Sequence, residues 1–305
     1  MQSFHLTNFI TSPLFLQELK EKHLPYDAIF SDIPYESNLL PYFWIYTKPT
    51  THSLLPFRAE QIEKAEYPLI ILESLSLASI LPLLDKFPEK QITVINLYVG
   101  MGSLGHKMAL ESSDIEEFYY DIPKYEPLDA VNFFSILEQP SRKYIRIPHQ
   151  HFPESIFSTE EIGIIDESIL HAVEILSLKG YGYTGEQGTI LTTGANFSTV
   201  LQLGDLLNEK EKHMDIFVLS KLTAEFTEEI ISSLKITKKL IWISDFKSTS
   251  SFTLKMEKYL QSLGMKDIKI LYFTPKYENL TTIFDEFSAE QAEFDAEGLL
   301  KRIIN

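Results

Sequence analysis

The sequence predicts an α/β fold with two doubly wound, mostly parallel-sheet domains joined by an ordered linker. Short apolar runs alternate with segments of helical periodicity, and this alternation is typical of βαβ units with a buried parallel sheet. With 305 residues, the chain is longer than a single hydrophobic core usually supports. The pattern also changes between residues 149 and 187, where a glycine-rich stretch interrupts the alternation.

The first predicted domain covers residues 1–148 and contains five apolar runs of strand character. The run at 92–99 is the clearest, because its β-branched residues end directly at the turn Gly100-Met101-Gly102. A helix is predicted over 126–137 from the spacing of its apolar residues. The predicted strands are 27–33, 42–46, 68–72, 92–99 and 143–147.

The second predicted domain covers residues 188–305 and repeats the same alternation. The region between the domains, residues 149–187, reads as a linker with an insertion and a possible helix at 166–178. Short connections between strands and helices favour a doubly wound sheet. The predicted strands are 188–194, 215–220, 239–243 and 268–273, and the predicted helices are 197–208, 225–234, 252–263 and 290–304.

The amino-acid composition argues against nucleic-acid and membrane partners. A formal net charge of −16 and a pI near 5.0 argue against nucleic acid, whose binding depends on clustered Lys and Arg. Cysteine is absent, which removes disulfides and thiol chemistry and fits a reducing compartment. No apolar run reaches the length of a membrane span, and the N-terminal segment lacks the pattern of a secretion signal. We therefore expect a cytoplasmic protein with no membrane or nucleic-acid partner.

Several short motifs, taken in order, resemble those of the transketolase superfamily. The segment Tyr144-Ile145-Arg146-Ile147-Pro148 is similar to the Y-I-R-L-P strand that ends the pyrimidine-binding domain of transketolases and deoxyxylulose-phosphate synthases. Downstream, Ile190-Leu191-Thr192-Thr193-Gly194 resembles the strand and turn that open the family's C-terminal domain. The stretch from Phe294 to Leu300 resembles the family's Y-G-L-D-A-E-G-I ending. The resemblance, which extends to the 2-oxo-acid dehydrogenase β-subunits, implies a diverged pyrimidine-binding domain followed by a transketolase C-terminal domain.

The same resemblance nominates Glu60 as a catalytic residue. Arg58-Ala59-Glu60-Gln61 looks like the family's I-A-E-Q motif, whose carboxylate hydrogen-bonds the aminopyrimidine ring of thiamine diphosphate. A buried carboxyl suits this role because desolvation raises its pKa toward neutrality. The alternative is an ordinary surface glutamate that pairs with Lys64 one helical turn further on.

The loop after the strand at 92–99 supplies the other candidates. Gly100, Gly102 and His106 resemble a worn version of the family's glycine-rich loop, with His106 in a catalytic role and the glycines at the cofactor. An imidazole can donate to a phosphate or relay a proton near neutral pH. His106 as a solvent-facing loop residue, and the glycines as turn residues only, are the alternatives.

Departures from the family pattern limit what this chain does alone. The sequence contains no Gly-Asp-Gly, the motif with which relatives hold Mg²⁺ and the cofactor diphosphate. The strand beginning at Pro68 follows Glu60 closely, where relatives have a long helix, and the stretch from Glu73 to Leu77 offers no stacking aromatic. Thiamine diphosphate with Mg²⁺ is therefore expected only jointly with a partner chain, or the capacity to bind it has been lost.

Two hypotheses follow from these observations. In the first, the chain is the smaller subunit of a split thiamine-diphosphate enzyme that transfers two-carbon units, paired with a diphosphate-domain subunit. In the second, it is a non-catalytic descendant that serves as a dimerisation or scaffolding body. Association as a homodimer, a hetero-oligomer or both is expected in either case, because relatives bury much of their surface between subunits.

Overall fold

The structure is a computed structural model whose described residues form two mostly parallel sheets and one short antiparallel pair. It describes residues 3–5, 9–31, 44–47, 55–73, 84–99, 122–139, 141–148, 151–153, 173–245, 251–276, 290 and 292–304. The predicted α/β class with two mostly parallel sheets is confirmed.

The first sheet has six parallel strands in the order β3-β2-β4-β5-β7-β6. The predicted strands at 27–33, 68–72, 92–99 and 143–147 are found with small shifts of their ends, and the strand at 42–46 is described from residue 44 onward. The strand bounds are Ala28–Ser31 for β2, Trp44–Thr47 for β3, Pro68–Glu73 for β4, Thr93–Val99 for β5, Lys124–Tyr125 for β6 and Lys143–Pro148 for β7.

Alternate residues of these strands are buried on opposite faces. On one face Ile71, Ile95 and Ile145 pack against helices α1 (Pro13–Glu21) and α3 (Ala130–Glu138). On the other face the core includes Ile70, Val94 and Tyr144, with Ile62 of helix α2 (Leu55–Lys64). Burial on both faces explains why these strands read as continuous apolar runs.

The second sheet has five strands in the order β13-β12-β10-β11-β9. Strands β10 to β13 are parallel, and helices α4 and α7 cover one face while α5 and α6 cover the other. The bounds are Ile175–Ser177 for β9, Thr189–Thr193 for β10, Phe197–Glu209 for α4, Asp215–Leu219 for β11, Glu228–Thr237 for α5, Lys239–Ile243 for β12, Ser251–Ser262 for α6, Lys269–Phe273 for β13 and Ala296–Ile304 for α7.

In its described residues, the region predicted as a linker contributes two short strands and the 3-10 turn Lys179–Tyr181. Strand β9 lies inside the predicted helix at 166–178 and instead pairs antiparallel with β11 at the sheet edge. Strand β8 (His151–Pro153) pairs antiparallel with the N-terminal strand β1 (Ser3–His5). Backbone pairing to a neighbouring strand has overridden the helical spacing at 175–177. The division at residues 148 and 187 remains a prediction.

Helix α3 begins later than its apolar spacing predicts. The predicted helix starts at residue 126, but Asp129 is the N-cap and its side chain accepts a hydrogen bond from Asn132 N at 2.7 Å. A carboxylate that satisfies a free N–H group of the first turn fixes the helix start at that point. Residues 126–129 are thereby left outside the helix, where they meet the second sheet. None of the helices within the described ranges combines the length and apolar character that spanning a bilayer requires.

Candidate functional site

The predicted catalytic glutamate lies on the surface of helix α2. Glu60 is exposed and forms no ion pair or hydrogen bond with the rest of the described chain, so the pair expected with Lys64 is not formed. It is the sixth of the helix's 10 residues. Ligands of open α/β sheets bind at the carboxyl ends of the strands, and a helix that follows a strand starts at that edge. At a rise of 1.5 Å per residue, Glu60 lies about 7.5 Å along the helix from Leu55, the first residue of α2.

The other predicted residues are not described. Gly100, Gly102 and His106 lie outside the described residues, so their roles stay predictions. In the described part of the chain, no group of three or more His, Cys, Asp or Glu side chains is arranged to hold a metal ion.

A charged cluster that the sequence reasoning missed is buried between the two sheets. Arg146, in the middle of β7, is 1% exposed, and its guanidinium contacts the carboxylates of Glu126 and Asp245. Glu126 follows β6 in the first sheet, whereas Asp245 follows β12 in the second, at 3.1 Å from Arg146 Nη2. One guanidinium therefore joins a carboxylate from each sheet.

The carboxylate of Glu126 is completely buried and has three partners. Oε1 accepts from Ala195 N at 2.9 Å, the Thr193 hydroxyl donates to the same carboxylate, and Oε2 meets Arg146. Burial raises the pKa of Glu126, against the opposing effect of Arg146, and the nearby charge of Asp245 raises it further. The hydrogen bonds from Thr193 and Ala195 favour the ionised form.

The cluster sits at the carboxyl ends of the second sheet's strands. The chain leaves β10 for β11 on one side and returns to β12 on the other, so the topological switch point lies between β10 and β12. Gly194 to Asn196 form a single 3-10 turn between β10 and α4, and Ser244 with Asp245 follows β12. Glu126 of the first sheet thus enters the crevice in which sheets of this type bind ligands.

Backbone contacts hold the two sheets at the same place. Glu126 N donates to Ser220 O at 2.7 Å, and Leu222 N donates to Lys124 O at 2.8 Å. Gly194 faces the carbonyl oxygen of Glu126 so closely that an added Cβ would stand 2.0 Å from it. A glycine is therefore required at this point.

Side chains from the segment between β6 and β7 of the first sheet also pack into the core of the second sheet. Leu128 is fully buried among Val200, Ile216 and Ile243 of the second sheet and its helices. Asn132 of α3 accepts a hydrogen bond from Ser220 Oγ at 2.6 Å. The junction therefore combines apolar burial, backbone pairing and buried charge in one compact region.

Two buried side-chain amides are under-satisfied on the α2 side of the first sheet. The Oε1 of Gln61 and the Oδ1 of Asn96 are buried and have no hydrogen-bond partner among the described residues. The amide nitrogen of Asn96 lies 2.5 Å from the hydroxyl of Tyr144. Gln61 follows Glu60 directly, and Asn96 is the neighbour of Arg146 in the pairing of β5 with β7. Polar atoms left unpaired in a core are uncommon and concentrate near functional positions.

The sequence carried a signal for the missed cluster. An arginine inside the apolar strand run at 143–148 must find carboxylate partners if it is buried. Asp245, which follows the predicted strand at 239–243, supplies one of these partners, because its Oδ2 lies 3.1 Å from Arg146 Nη2.

Comparison with solved structures establishes the fold of this chain. It is similar to the chain of a split-gene transketolase described as an inactive β4 tetramer, with a TM-score of 0.70, 15% identity and coverage of 98% of this chain and 97% of that one. It is also similar to transketolase from Campylobacter jejuni, with a TM-score of 0.63 and 11% identity, and to a transketolase variant from Pichia stipitis, with 0.60 and 12%.

The match covers nearly all of the split-gene chain but less than half of each of the other two transketolase chains. This chain spans 47% of the Campylobacter jejuni transketolase and 46% of the Pichia stipitis one, although 99% and 100% of its own length is matched. No protein-family model and no curated protein sequence matches it. The fold is therefore transketolase-like and corresponds to about half of a single-chain transketolase.

Proposed function

We propose that this chain is the smaller subunit of a split transketolase-like enzyme that depends on thiamine diphosphate and transfers two-carbon units. The observation that carries the proposal is the pattern of coverage. The chain matches nearly all of a split-gene transketolase chain but only 46–47% of the single-chain transketolases. Such a subunit contributes the pyrimidine side of the site from its first sheet.

A partner chain would contribute the other side. This sequence contains no Gly-Asp-Gly, so the ligands for Mg²⁺ and the diphosphate are assigned to a diphosphate-domain subunit. The split-gene neighbour is described as an inactive tetramer of its β chains. By analogy, the isolated chain is expected to associate with itself without activity and to become active in a cytoplasmic hetero-oligomer.

Glu60 is the described residue that fits the cofactor's needs. Its carboxylate is exposed and has no partner among the described residues, which leaves it accessible to a ligand or a partner subunit. Thiamine diphosphate, when bound, supplies carbanion chemistry that amino-acid side chains lack. Glu60 would accept a hydrogen bond from the aminopyrimidine ring, and a partner surface that excludes water would strengthen this hydrogen bond. Gly100, Gly102 and His106 remain proposed members of the same site.

Reconstitution tests this proposal. The chain is combined with a transketolase-like chain that carries Gly-Asp-Gly, together with thiamine diphosphate and Mg²⁺, and ketol transfer is measured. Glu60→Gln is expected to lower the turnover number at least about a hundredfold, the usual contribution of a positioned acid or base. Glu63→Gln, on an exposed side chain of the same helix, is the matched control. Equal activity of the two variants would remove Glu60 from the mechanism.

A second candidate is a non-catalytic scaffold, and the geometry of α2 favours it. The helix ends at Lys64, four residues after Glu60, and β4 begins at Pro68. Glu60 therefore lies in the half of the helix further from the strands' carboxyl ends. Calorimetry with thiamine diphosphate and Mg²⁺, with and without the partner chain, separates the candidates. Saturable binding heat in the complex supports the enzyme, and its absence supports the scaffold.

A further inference from the structure

The crevice at the switch point of the second sheet has the donor set of an anion site. Ala195 N–H lies in the three-residue 3-10 turn at 194–196 that leads into α4, and it donates to Glu126 Oε1 at 2.9 Å. The Thr193 hydroxyl lies one residue before the turn, and the buried guanidinium of Arg146 closes the crevice from the first sheet. These three donors converge on one carboxylate, that of Glu126.

We propose that this crevice is a carboxylate-binding site whose ligand is Glu126 of the same chain, and that its occupancy locks the two sheets together. The inference is independent of the proposed enzymatic role, because it uses no residue of the predicted cofactor site. Its ligand class is a monocarboxylate held by the guanidinium of Arg146, the hydroxyl of Thr193 and the backbone N–H of Ala195.

The backbone around Glu126 is built to deliver the carboxylate. Its N–H is fixed by Ser220 O at 2.7 Å, and its carbonyl oxygen lies against Gly194, which has no Cβ to obstruct the approach. Asp129 caps α3 and so keeps residues 126–128 out of the helix. Together these contacts fix the position of the Glu126 backbone and direct its side chain into the crevice.

Arg146 has a second carboxylate, and this makes the site testable. Asp245 Oδ2 lies 3.1 Å from Arg146 Nη2, so we expect the guanidinium to keep this partner when Glu126 is removed. The substitution Glu126→Ala should leave a space that is lined by Arg146, Thr193 and the N–H group of Ala195. A small carboxylate added from solution has the charge and acceptor geometry to fill that space.

Chemical rescue with formate is the experiment. Thermal unfolding of the full chain is followed for the wild type and Glu126→Ala in sodium formate and in sodium chloride of equal ionic strength. We expect Glu126→Ala to have a lower midpoint in chloride, and formate to raise it with a saturable dependence on concentration. The double variant Glu126→Ala/Arg146→Met should lose the response.

Controls distinguish the site from a general salt effect. Glu174→Ala removes the exposed partner of Lys221 at the same junction, and its midpoint should not respond to formate beyond the wild type. An equal formate response of wild type and Glu126→Ala, or no response of Glu126→Ala, overturns the proposal.

A second variant carries the test if Glu126→Ala does not fold. Glu126→Gln keeps the shape of the side chain but removes the charge that faces Arg146. Hydrogen exchange of the amides at 193–197 should then become about fivefold faster, since a hydrogen bond to a charged group is stronger than a neutral one by about 1 kcal/mol. Exchange in β4 serves as the internal reference. Unchanged exchange at 193–197 overturns the proposed site.

Discussion

The two glutamates at Glu60 and Glu126 occupy opposite environments in one chain. Glu60 is exposed on α2 and has no partner in the described structure, whereas Glu126 is completely buried and meets Arg146, Thr193 and Ala195. The family resemblance selects the first, while the tertiary structure gives the second its elaborate surroundings. A motif therefore nominates a residue, but the surroundings of its side chain decide what that residue does in the isolated chain.

The junction around Glu126 and the surface of α2 differ in whether their charged groups are paired within the chain. The junction around Glu126 is satisfied by groups of the same polypeptide. Within the ranges that the structure describes, the carboxylate of Glu60 has no partner, and neither has the buried Oε1 of the adjacent Gln61. We therefore expect the junction to determine stability and the α2 surface to determine association.

Arg146→Met should have the largest effect on stability. Removing the guanidinium leaves two buried carboxylates without compensation, and breaking a buried ion pair in this way costs about 3–5 kcal/mol. Urea unfolding followed by circular dichroism measures the change. Lys221→Met, which removes an exposed pair with Glu174, should cost no more than about 1 kcal/mol. Equal losses in the two variants would contradict the contrast between buried and exposed charge.

Gly194→Ala should have the next largest effect. An alanine Cβ would stand 2.0 Å from the Glu126 carbonyl oxygen, so the sheets must move apart, at a cost of about 1–3 kcal/mol or more. Gly180→Ala is the matched control, because nothing lies within 4 Å of the added methyl group there. A Gly194→Ala protein as stable as Gly180→Ala would show that the close approach is not required.

Lys143, a second buried cation in β7, should make the free energy of unfolding depend on pH. Its ammonium donates to the carbonyl oxygens of Ile136 and Gln139 at the end of α3, and burial lowers its pKa to about 8. Above that value the unfolded chain binds more protons than the folded one, until the lysine of the unfolded chain loses its proton near its ordinary pKa of about 10.4. The free energy of unfolding should therefore rise with pH in this window, by at most about 1.4 kcal/mol per pH unit.

The comparison with Lys143→Met isolates this contribution. The difference in stability between the wild type and Lys143→Met should increase in favour of the wild type as pH rises from about 8 to about 10.4. Urea unfolding at several pH values measures it. Parallel curves for the two proteins would contradict the lowered pKa.

Glu60→Gln should have the smallest effect on the isolated chain. An exposed side chain without partners contributes within about 0.5 kcal/mol to stability. Thermal unfolding of the lone chain measures this, and the same variant in the complex with a diphosphate-domain partner should show its effect in activity. A large loss of stability in the lone chain would mean that Glu60 is already engaged, contrary to its exposed position.

Much of the fold was readable from local patterns. The run at 92–99 appears as β5 (Thr93–Val99), and the helix predicted at 197–208 appears as α4 (Phe197–Glu209). The terminal motif has a local explanation, since Asp295 Oδ1 accepts from Gly298 N at 3.1 Å at the start of α7. In each case neighbouring residues supply the signal, so the sequence displays it directly.

Predictions failed where distant residues compete with local spacing. Residues 175–177 form strand β9 because β11 offers an edge to pair with. Residues 126–129 leave the predicted helix because Asp129 caps it and the second sheet binds Glu126. Local periodicity contains no information about either partner.

Although β6, β9 and α1 were not among the predicted elements, local patterns in the sequence are enough to predict the α/β class, the order of strands and helices from β10 to α7, and the resemblance that singles out Glu60. Apolar periodicity and turn residues are sufficient for this, because they act over a few residues. Only the tertiary structure decided that Arg146, Glu126 and Asp245 form one buried cluster. Arg146 lies 20 positions from Glu126 and 99 positions from Asp245 in the sequence. A buried charge is tolerated only where folding brings its partners within hydrogen-bond distance.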